Sequence, residues 1–260
     1  MATSGAPSGW LDDYFAKGIG KNSKIGVLLL HGFTGSPASM RPWAQFLNEK
    51  GITVSVPRIP GHGTRWQDLN KVQWQSWTNR AREALLKLQE ESSEVYIFGL
   101  SMGGANTLFT AATAKSTVNL AGVVLVNPMI HITDPAIKFI NIIKYLVPKR
   151  PSVGDDIKKP NVTEWGYDAL PTKGVAQLNK LLKATRSLLP EVKVPTLLFH
   201  SVEDHVLPVS NTEVIMNEIG SKSKVRVELG NSYHVATLDY DAQTIFDSSY
   251  QFVMENTSQK

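Results

Sequence analysis

A short apolar segment, residues 95–98, runs directly into the glycine-rich turn Gly99-Leu-Ser-Met-Gly-Gly104, and small residues fill the next segment, 105–114. The apolar segment predicts a buried β-strand, and the segment rich in alanine predicts a helix. A strand that turns into a helix within so few residues needs glycine, because a Cβ would keep the two backbones apart. We therefore expect a strand–turn–helix unit with Ser101 at its sharpest point.

Segments of these two kinds alternate along most of the chain. Apolar spacing and composition predict strands at residues 25–30, 52–56, 95–98, 120–126, 195–200 and 225–229. Helical spacing is found at residues 40–50, 74–90, 105–114, 211–219 and 242–255. Gly51 is the expected end of the first helix. Because such alternation is typical of βαβ units, we predict an α/β fold with a mostly parallel central sheet.

Residues 128–190 interrupt this alternation with helical segments and proline-rich turns but no convincing core strand. Structureless loops longer than ~15 residues are uncommon in compact domains, so we predict an inserted helical cap here. The predicted core consists of residues 1–127 and 191–260. Residues 136–147 suggest an amphipathic helix that either packs on the core or roofs a lipid-accepting pocket. Its apolar side consists of Ile137, Ile140, Ile143 and Leu146.

The composition excludes several classes of protein. None of the 260 residues is cysteine, which excludes disulfides, thiolate catalysis and cysteine zinc sites. The formal charge is +4 with the basic residues spread out, so we expect no nucleic-acid partner. Residues 1–9 lack the apolar core of a secretory signal, and no apolar run approaches the ~18 residues of a membrane span, which favours a cytoplasmic location. We expect no metal and no dinucleotide cofactor, because neither motif is found.

Ser101 lies in a Gly-x-Ser-x-Gly motif between a predicted strand and a predicted helix, as in a nucleophile elbow. A hydroxyl at a helix N-terminus lies where the helix dipole and free N–H groups favour developing negative charge. The alternative is a helix cap of small residues without chemistry. A serine hydroxyl is a weak nucleophile at neutral pH, so it also needs a general base and a third group that orients the base.

The residues that would complete such a site follow Ser101 in the chain order acid, then base. His234 lies after the last predicted strand and before the last helix, which makes it the candidate base. Asp204 is the candidate acid in the loop after the strand at 195–200, and its neighbour Glu203 is the alternative. Three other histidines downstream of the serine are expected to be structural, loop or cap-entrance residues: His131, His200 and His205.

Acyl transfer also requires two N–H donors for the oxyanion of the tetrahedral intermediate. Met102 directly follows the nucleophile and supplies one backbone N–H. The second donor is expected from the loop after the first of the central strands, where Phe33 is the natural choice. His31, at the start of this loop, is expected to support the loop.

Several stretches together resemble the bacterial monoacylglycerol lipase and carboxylesterase branch of the α/β-hydrolases, and the resemblance covers nearly the whole chain. The most specific stretches are Leu30-His-Gly-Phe-Thr-Gly-Ser36, Gly99-Leu-Ser-Met-Gly-Gly104, Val126-Asn-Pro-Met129, Ser201-Val-Glu-Asp-His-Val206 and Asn231-Ser-Tyr-His-Val-Ala-Thr-Leu-Asp239. Residues 154–167 also resemble the cap of Bacillus-type monoacylglycerol lipases. The resemblance implies an α/β-hydrolase fold with the triad Ser101, Asp204 and His234 and the oxyanion donors Phe33 and Met102.

The resemblance further implies that Glu164 in the cap binds the glycerol hydroxyls and that Val153 lines the acyl or entrance channel. The expected partner is a small acyl ester or monoacylglycerol, cleaved through an acyl-enzyme on Ser101. The alternatives are a general carboxylesterase, a thioesterase or a lysophospholipase with the same triad, and a non-catalytic binding protein of the same fold. We expect no stable membrane insertion, with the cap touching lipid surfaces at most. The sequence leaves a homodimer open.

Overall fold

The computed structural model of the chain describes residues 5–114, 117–152 and 154–258. Strands and helices alternate through these residues, as the sequence predicts. The β-strands in the described residues are Tyr14–Ala16 (β1), Ile25–Leu30 (β2), Thr53–Val56 (β3), Glu94–Leu100 (β4), Leu120–Val126 (β5), Lys149–Pro151 (β6), Ala169–Pro171 (β7), Thr196–Ser201 (β8) and Lys224–Leu229 (β9).

The helices connect the strands and cover the sheet. In the described part of the chain the α-helices are Arg41–Glu49 (α1), Trp66–Leu69 (α2), Trp74–Glu91 (α3), Met102–Thr113 (α4), Ile140–Leu146 (α5), Thr172–Leu188 (α6), Ser210–Glu218 (α7) and Ala242–Asn256 (α8). Short 3-10 helices lie at Gly20–Asn22, Pro37–Ser39, Pro135–Phe139, Leu189–Glu191 and Ala236–Leu238. Of the helices described, none combines the length and apolarity needed to cross a bilayer.

The central sheet has seven strands in the order β1-β3-β2-β4-β5-β8-β9. The pair of β1 with β3 is antiparallel, and every other pair of neighbours in this sheet is parallel. The predicted α/β fold with a mostly parallel sheet is therefore confirmed. Because parallel strands all end at the same edge, the loops after β2, β4, β8 and β9 meet there.

The core lies on both faces of this sheet. Along β4, Val95 and Ile97 contact one buried apolar cluster, whereas Tyr96 and Phe98 contact a second cluster on the opposite face. A strand that is buried on both faces has a continuous run of apolar residues in the sequence, and for this reason the central strands are predicted well. The sequence does not predict β1, because this strand has only three residues, lies at the edge of the sheet and has no fully buried residue.

The region 128–190, predicted as the cap, has a mixed structure. Its strands β6 and β7 form a separate two-stranded antiparallel sheet, which the sequence does not reveal. Its longest helix, α6, contacts α4 of the core and contributes Leu178, Leu181 and Leu182 to the first apolar cluster. The boundaries of the cap stay a prediction. Within this region, α6 packs on the core, whereas α5 lies over a cavity.

The predicted amphipathic helix at 136–147 is split into the 3-10 helix Pro135–Phe139 and the α-helix Ile140–Leu146. Ile137, Ile140 and Ile143 line the cavity, but Leu146 is 76% exposed. The prediction for Leu146 is wrong because residues three apart drift by about 60° per step around an α-helix. Of the two alternatives for the isoleucine stripe, the cavity contacts favour a roof.

We predict that Gly103, in the first turn of α4, tolerates no side chain. A Cβ at this position would overlap the carbonyl oxygen of Leu30, a backbone atom at the end of β2. Gly103→Ala should therefore push α4 from the sheet and lower the free energy of unfolding by about 1–3 kcal/mol in urea titrations. Gly230→Ala is the matched control, because nothing lies within 4 Å of a Cβ there. Equal stability of the two variants would contradict the prediction.

Candidate active site

Ser101 forms the turn between β4 and α4, with φ of 57° and ψ of −119°. A positive φ at a residue other than glycine costs about 1–3 kcal/mol, so surrounding contacts must hold the turn. The N–H of Ser101 donates to the carbonyl of Val126 at 3.0 Å, and the Ser101 carbonyl accepts from the N–H of Met129 at 3.0 Å. The end of β5 thus holds the strained turn, and the Ser101 side chain lines a cavity.

A buried pair of side chains lies beside the same cavity. His234 Nδ1 is 2.8 Å from Asp204 Oδ2, and the two side chains are 8% and 2% exposed. The second carboxylate oxygen of Asp204 accepts the N–H groups of Val206 at 2.8 Å and Leu207 at 2.7 Å. Because the loop fixes one oxygen, the other is oriented toward the imidazole ring.

The two partners shift each other's pKa in opposite directions. Burial alone would lower the pKa of His234, but the charge and hydrogen bond of Asp204 raise it above its ordinary value. Burial alone would raise the pKa of Asp204, but His234 and the loop N–H groups lower it. The carboxylate therefore stays ionised, and a protonated imidazole is stabilised next to it.

Glu203, the alternative acid, faces a different partner. Its carboxylate is 3.0 Å from Nζ of Lys158, and its side chain is 51% exposed. The structure brings Asp204, and not Glu203, to His234. The three other downstream histidines also have partners: His131 with Ser210, His200 with Thr212, and His205 with Asp156.

The loop after β2 lies against Ser101. A Cβ at Gly32 would be 3.4 Å from Cβ of Ser101 and 3.9 Å from its Oγ, and the next residue, Phe33, lines the cavity. His31 supports this loop, because Nδ1 donates to the carbonyl of Gly32 at 2.9 Å and Nε2 accepts from the N–H of Ile59 at 3.1 Å. Burial lowers the pKa of His31 to about 4, so its ring is neutral. Met102, the other predicted donor, is the first residue of α4.

The cavity has a volume of about 260 Å³ and lies between the strand-end loops and the region 128–190. Ser101 and His234 both line it, together with Glu164 and Asp156 from that region. Most of its remaining wall is apolar. The apolar side chains include Phe33, Leu100, Met129, Ile132, Ile137, Ile140, Ile143, Leu170, Val175, Leu178, Val206 and Val235.

Glu164 is a buried carboxyl group in this mostly apolar wall. A Cβ at Gly35 would lie 3.1 Å from its Oε2, and a Cβ at Gly166 would lie 3.3 Å from its Oε1, so two glycines make room for the carboxyl group. Its backbone N–H donates to Asp155 at 2.6 Å. Burial, followed by the negative charge of Asp155, raises the pKa of Glu164 to about 7. Val153, the other predicted cap residue, lies outside the described residues.

Two further residues at the site are absent from the sequence-based prediction. Asp156 lines the cavity and accepts the N–H of His234 at 3.0 Å. Asn127, with φ of 42°, donates to the carbonyl of His234 at 2.8 Å and accepts from the N–H of Ser201 at 2.7 Å. Asn127 lies in one of the stretches that carry the family resemblance, and nothing else in the sequence indicates its role. Asp156 follows another aspartate, but no motif or spacing in the sequence connects it with His234.

Comparison with known proteins gives the family. The family described as Serine aminopeptidase, S33, matches residues 21–241. The chain belongs to this family. It is 38% identical to a thermostable monoacylglycerol lipase of Bacillus sp. (strain H-257) over 235 residues, which cover 89% of this chain and 91% of the relative. It is 26% identical to a carboxylesterase of Bacillus subtilis (strain 168), covering 90% and 94% of the two chains.

Two solved structures agree with the fold. A structure reported for the metagenome-derived lipolytic enzymes LipS and LipT superposes with a TM-score of 0.89 and 36% identity, covering 95% of this chain and 98% of the other. The monoacylglycerol lipase of Paleococcus ferrophilus superposes with a TM-score of 0.75 over 95% and 100% of the two chains. At 18% identity, this second match supports the fold alone.

We predict that Glu164 makes the stability depend on pH. Its pKa rises from 4.5 to about 7 on folding, so the folded protein holds this proton more tightly than the unfolded chain. The proton on Glu164 therefore contributes about 3 kcal/mol to the free energy of unfolding. This stabilisation is fully present below about pH 4.5 and is lost as the pH rises to about 7. Glu164→Gln does not titrate, so its Tm relative to wild type should increase from pH 5 to pH 8 in thermal unfolding.

The matched control for this pH series is Glu203→Gln, which removes a half-exposed carboxyl group from the neighbouring loop. Its Tm difference from wild type should change little over the same range. A Tm difference for Glu164→Gln that is constant from pH 5 to pH 8 would contradict the prediction.

Proposed function

We propose that the chain hydrolyses monoacylglycerols, and more slowly other short acyl esters, through an acyl-enzyme on Ser101. The observation that carries the proposal is the convergence of Ser101 and the paired His234 and Asp204 on one largely apolar cavity that also contains the buried Glu164. The 38% identity to a monoacylglycerol lipase over most of both chains supports the same substrate class.

In the first step, His234 removes the proton from Ser101 as Oγ attacks the ester carbonyl carbon. The contact of Nδ1 with Asp204 keeps the proton of the neutral ring on Nδ1 and leaves Nε2 free to act as the base. The N–H groups of Phe33 and Met102 donate to the oxyanion of the tetrahedral intermediate. Each such donor is typically worth ~2.7–4 kcal/mol of transition-state stabilisation.

In the second step, protonated His234 donates its proton to the leaving glycerol oxygen as the C–O bond breaks. Water then attacks the acyl-enzyme, with His234 again as the base, and releases the fatty acid and free Ser101. The raised pKa of His234 is suited to this cycle, because Asp204 stabilises the imidazolium formed in each half-reaction.

The apolar wall of the cavity is suited to the acyl chain. Ile137, Ile140, Ile143 and Leu178 contribute from the region 128–190, and Val206 contributes from the loop after β8. Each methylene group that leaves water contributes roughly 0.8 kcal/mol to binding. The isoleucines therefore act as a roof over the acyl chain, within a cap that we place in residues 128–190.

Glu164 is suited to the alcohol portion of the substrate. It is a buried carboxyl group of the wall, and glycerol hydroxyls can donate to it when it is ionised or accept from it when it is protonated. A site built around such a group disfavours alcohols that leave it without a partner. We therefore assign Glu164 to recognition of the glyceryl group.

The outer face of the same cap supports contact with the lipid surface that holds the substrate. Phe139, Ile142 and Tyr145 are each more than 60% exposed, and Lys138 and Lys144 lie on the same segment. Exposed aromatic and aliphatic side chains next to lysine are typical of helices that lie in the interface of a membrane without spanning it.

The first prediction concerns the substrate. We expect kcat/KM for 1-monoacylglycerols to exceed that for methyl esters of the same acyl chain. At pH 8, above the raised pKa of Glu164, Glu164→Gln should reduce the glyceride value by about 10–100-fold, as expected for loss of a hydrogen bond to a charged group, and the methyl ester value much less. The measurement is steady-state hydrolysis across several chain lengths.

Ser101→Ala is the control for this comparison, and it should abolish turnover of both substrates without unfolding the protein. Equal rates on glycerides and methyl esters would instead indicate a general carboxylesterase. Absence of turnover of both glycerides and methyl esters would exclude the proposal and direct the search to thioesters, lysophospholipids and, given the family description, amides.

The second prediction concerns the acid. Asp204→Asn should lower kcat by about 10³–10⁴-fold, because an amide cannot hold the imidazole in the required tautomer or stabilise its charge. Glu203→Gln, on the adjacent residue, should leave kcat close to wild type because Glu203 pairs with Lys158 instead. A large loss in Glu203→Gln with a small loss in Asp204→Asn would reverse the assignment.

A further inference from the structure

The base His234 lies in a loop that is held by residues 155–159 of the predicted cap. Asp156 contacts this loop twice, because its carboxylate Oδ2 accepts from the N–H of His234 at 3.0 Å and its carbonyl accepts from the N–H of Val235 at 3.1 Å. Asp239 holds the loop from the other side, and its carboxylate accepts from the N–H groups of Lys158 at 2.7 Å and Tyr233 at 2.9 Å.

The carboxylate of Asp156 also reaches the loop that carries the acid. Its Oδ1 is 2.9 Å from Nδ1 of His205, and its Oδ2 accepts from the N–H of the same residue at 3.3 Å. His205 directly follows Asp204 in the chain. The Asp156 side chain is only 9% exposed and lines the cavity, so one buried carboxylate connects the two loops next to the reacting atoms.

We propose that Asp156 is a positioning residue for ester hydrolysis, whose carboxylate holds the backbone of His234 and, through His205, the loop of Asp204. This inference rests on the function proposed above. A hydrolase of this type must keep Nδ1 of the base paired with the acid while the ring gains and loses a proton at Nε2. Two loops joined by one carboxylate can keep that geometry throughout the cycle.

The charge of Asp156 gives the role a specific signature. The groups that influence His234 are Asp204, Glu164 and Asp156; after the opposing effect of burial, these three carboxyl groups raise its pKa, and Asp156 has the smallest effect of the three. Asp156 also raises the pKa of Glu164. A change at Asp156 therefore acts on His234 both directly and through Glu164, so the direct effect is measured best with Glu164 replaced.

The test compares Glu164→Gln with the double variant Glu164→Gln/Asp156→Asn, using a short-chain methyl ester. The amide keeps the shape of Asp156 but loses the charge and can accept only part of the present set of hydrogen bonds. We expect kcat to fall by about 10–100-fold, as for an ångström-scale misplacement of a catalytic group, with a much smaller change in KM. The acidic limb of the kcat/KM profile should move to lower pH, because the imidazolium loses a stabilising negative charge.

Asp239→Asn in the same Glu164→Gln background is the matched control. It weakens the same loop, but Asp239 does not line the cavity and is not among the groups with the largest effects on the pKa of His234. Its acidic limb should not move. If Asp156→Asn leaves both kcat and the limb unchanged, or if it lowers kcat without moving the limb as Asp239→Asn would, the inference is overturned.

A readout that needs no turnover separates this inference from the proposed function. The pKa of the His234 ring, followed by NMR of the ring nitrogens, should be lower in the double variant than in Glu164→Gln. If esters are not hydrolysed but this pKa falls as expected, the proposed function fails and the influence of Asp156 on His234 stands. If esters are hydrolysed and this pKa is unchanged, Asp156 does not position or tune the base.

Discussion

The close approach of α4 to the end of β2 is the constraint on which the rest of the site depends. Side chains at Gly99 or Gly103 would overlap backbone atoms, so glycine is needed at both positions. With the helix this close, the chain must turn at Ser101 with a positive φ, and the strain is held by hydrogen bonds to the end of β5 and the residue after Pro128. Ser101 is therefore positioned by backbone packing, whereas Asp204 is held by loop N–H groups and His234 by the side chains of Asp156 and Asn127.

Asp204 and Glu164 both act on the imidazole ring of His234, which lines a cavity with largely apolar walls. Low polarity strengthens each electrostatic contact, so the buried Asp204 controls the ring while the more exposed Glu203 has little influence on it. The same burial keeps a proton on Glu164 up to about pH 7. The two carboxyl groups respond differently to burial because the contact with His234 and two loop N–H donors outweigh the loss of water at Asp204, whereas the effects of His234 and of a backbone N–H on Glu164 do not.

The sequence predicts the parts of this architecture that are local in the chain. Buried central strands and the turn at Ser101 have strong local patterns, and the order of acid and base follows from the fold. The choice between Glu203 and Asp204 depends on side-chain direction in one loop, which adjacent positions in a sequence cannot reveal. Asp156 was missed because its partners lie 49 and 78 residues away in the chain, and no spacing rule connects them.

The region 128–190 has more than one role in this arrangement. It contributes the isoleucine roof, the carboxyl group of Glu164 and the carboxylate of Asp156 to one cavity. Under the function proposed above, this region would enclose the substrate and also hold the loop of His234 through Asp156, so that substrate binding and chemistry would be coupled. Sequence changes in this region should therefore alter kcat as well as KM, whereas a roof that only enclosed the acyl chain would alter mainly substrate binding.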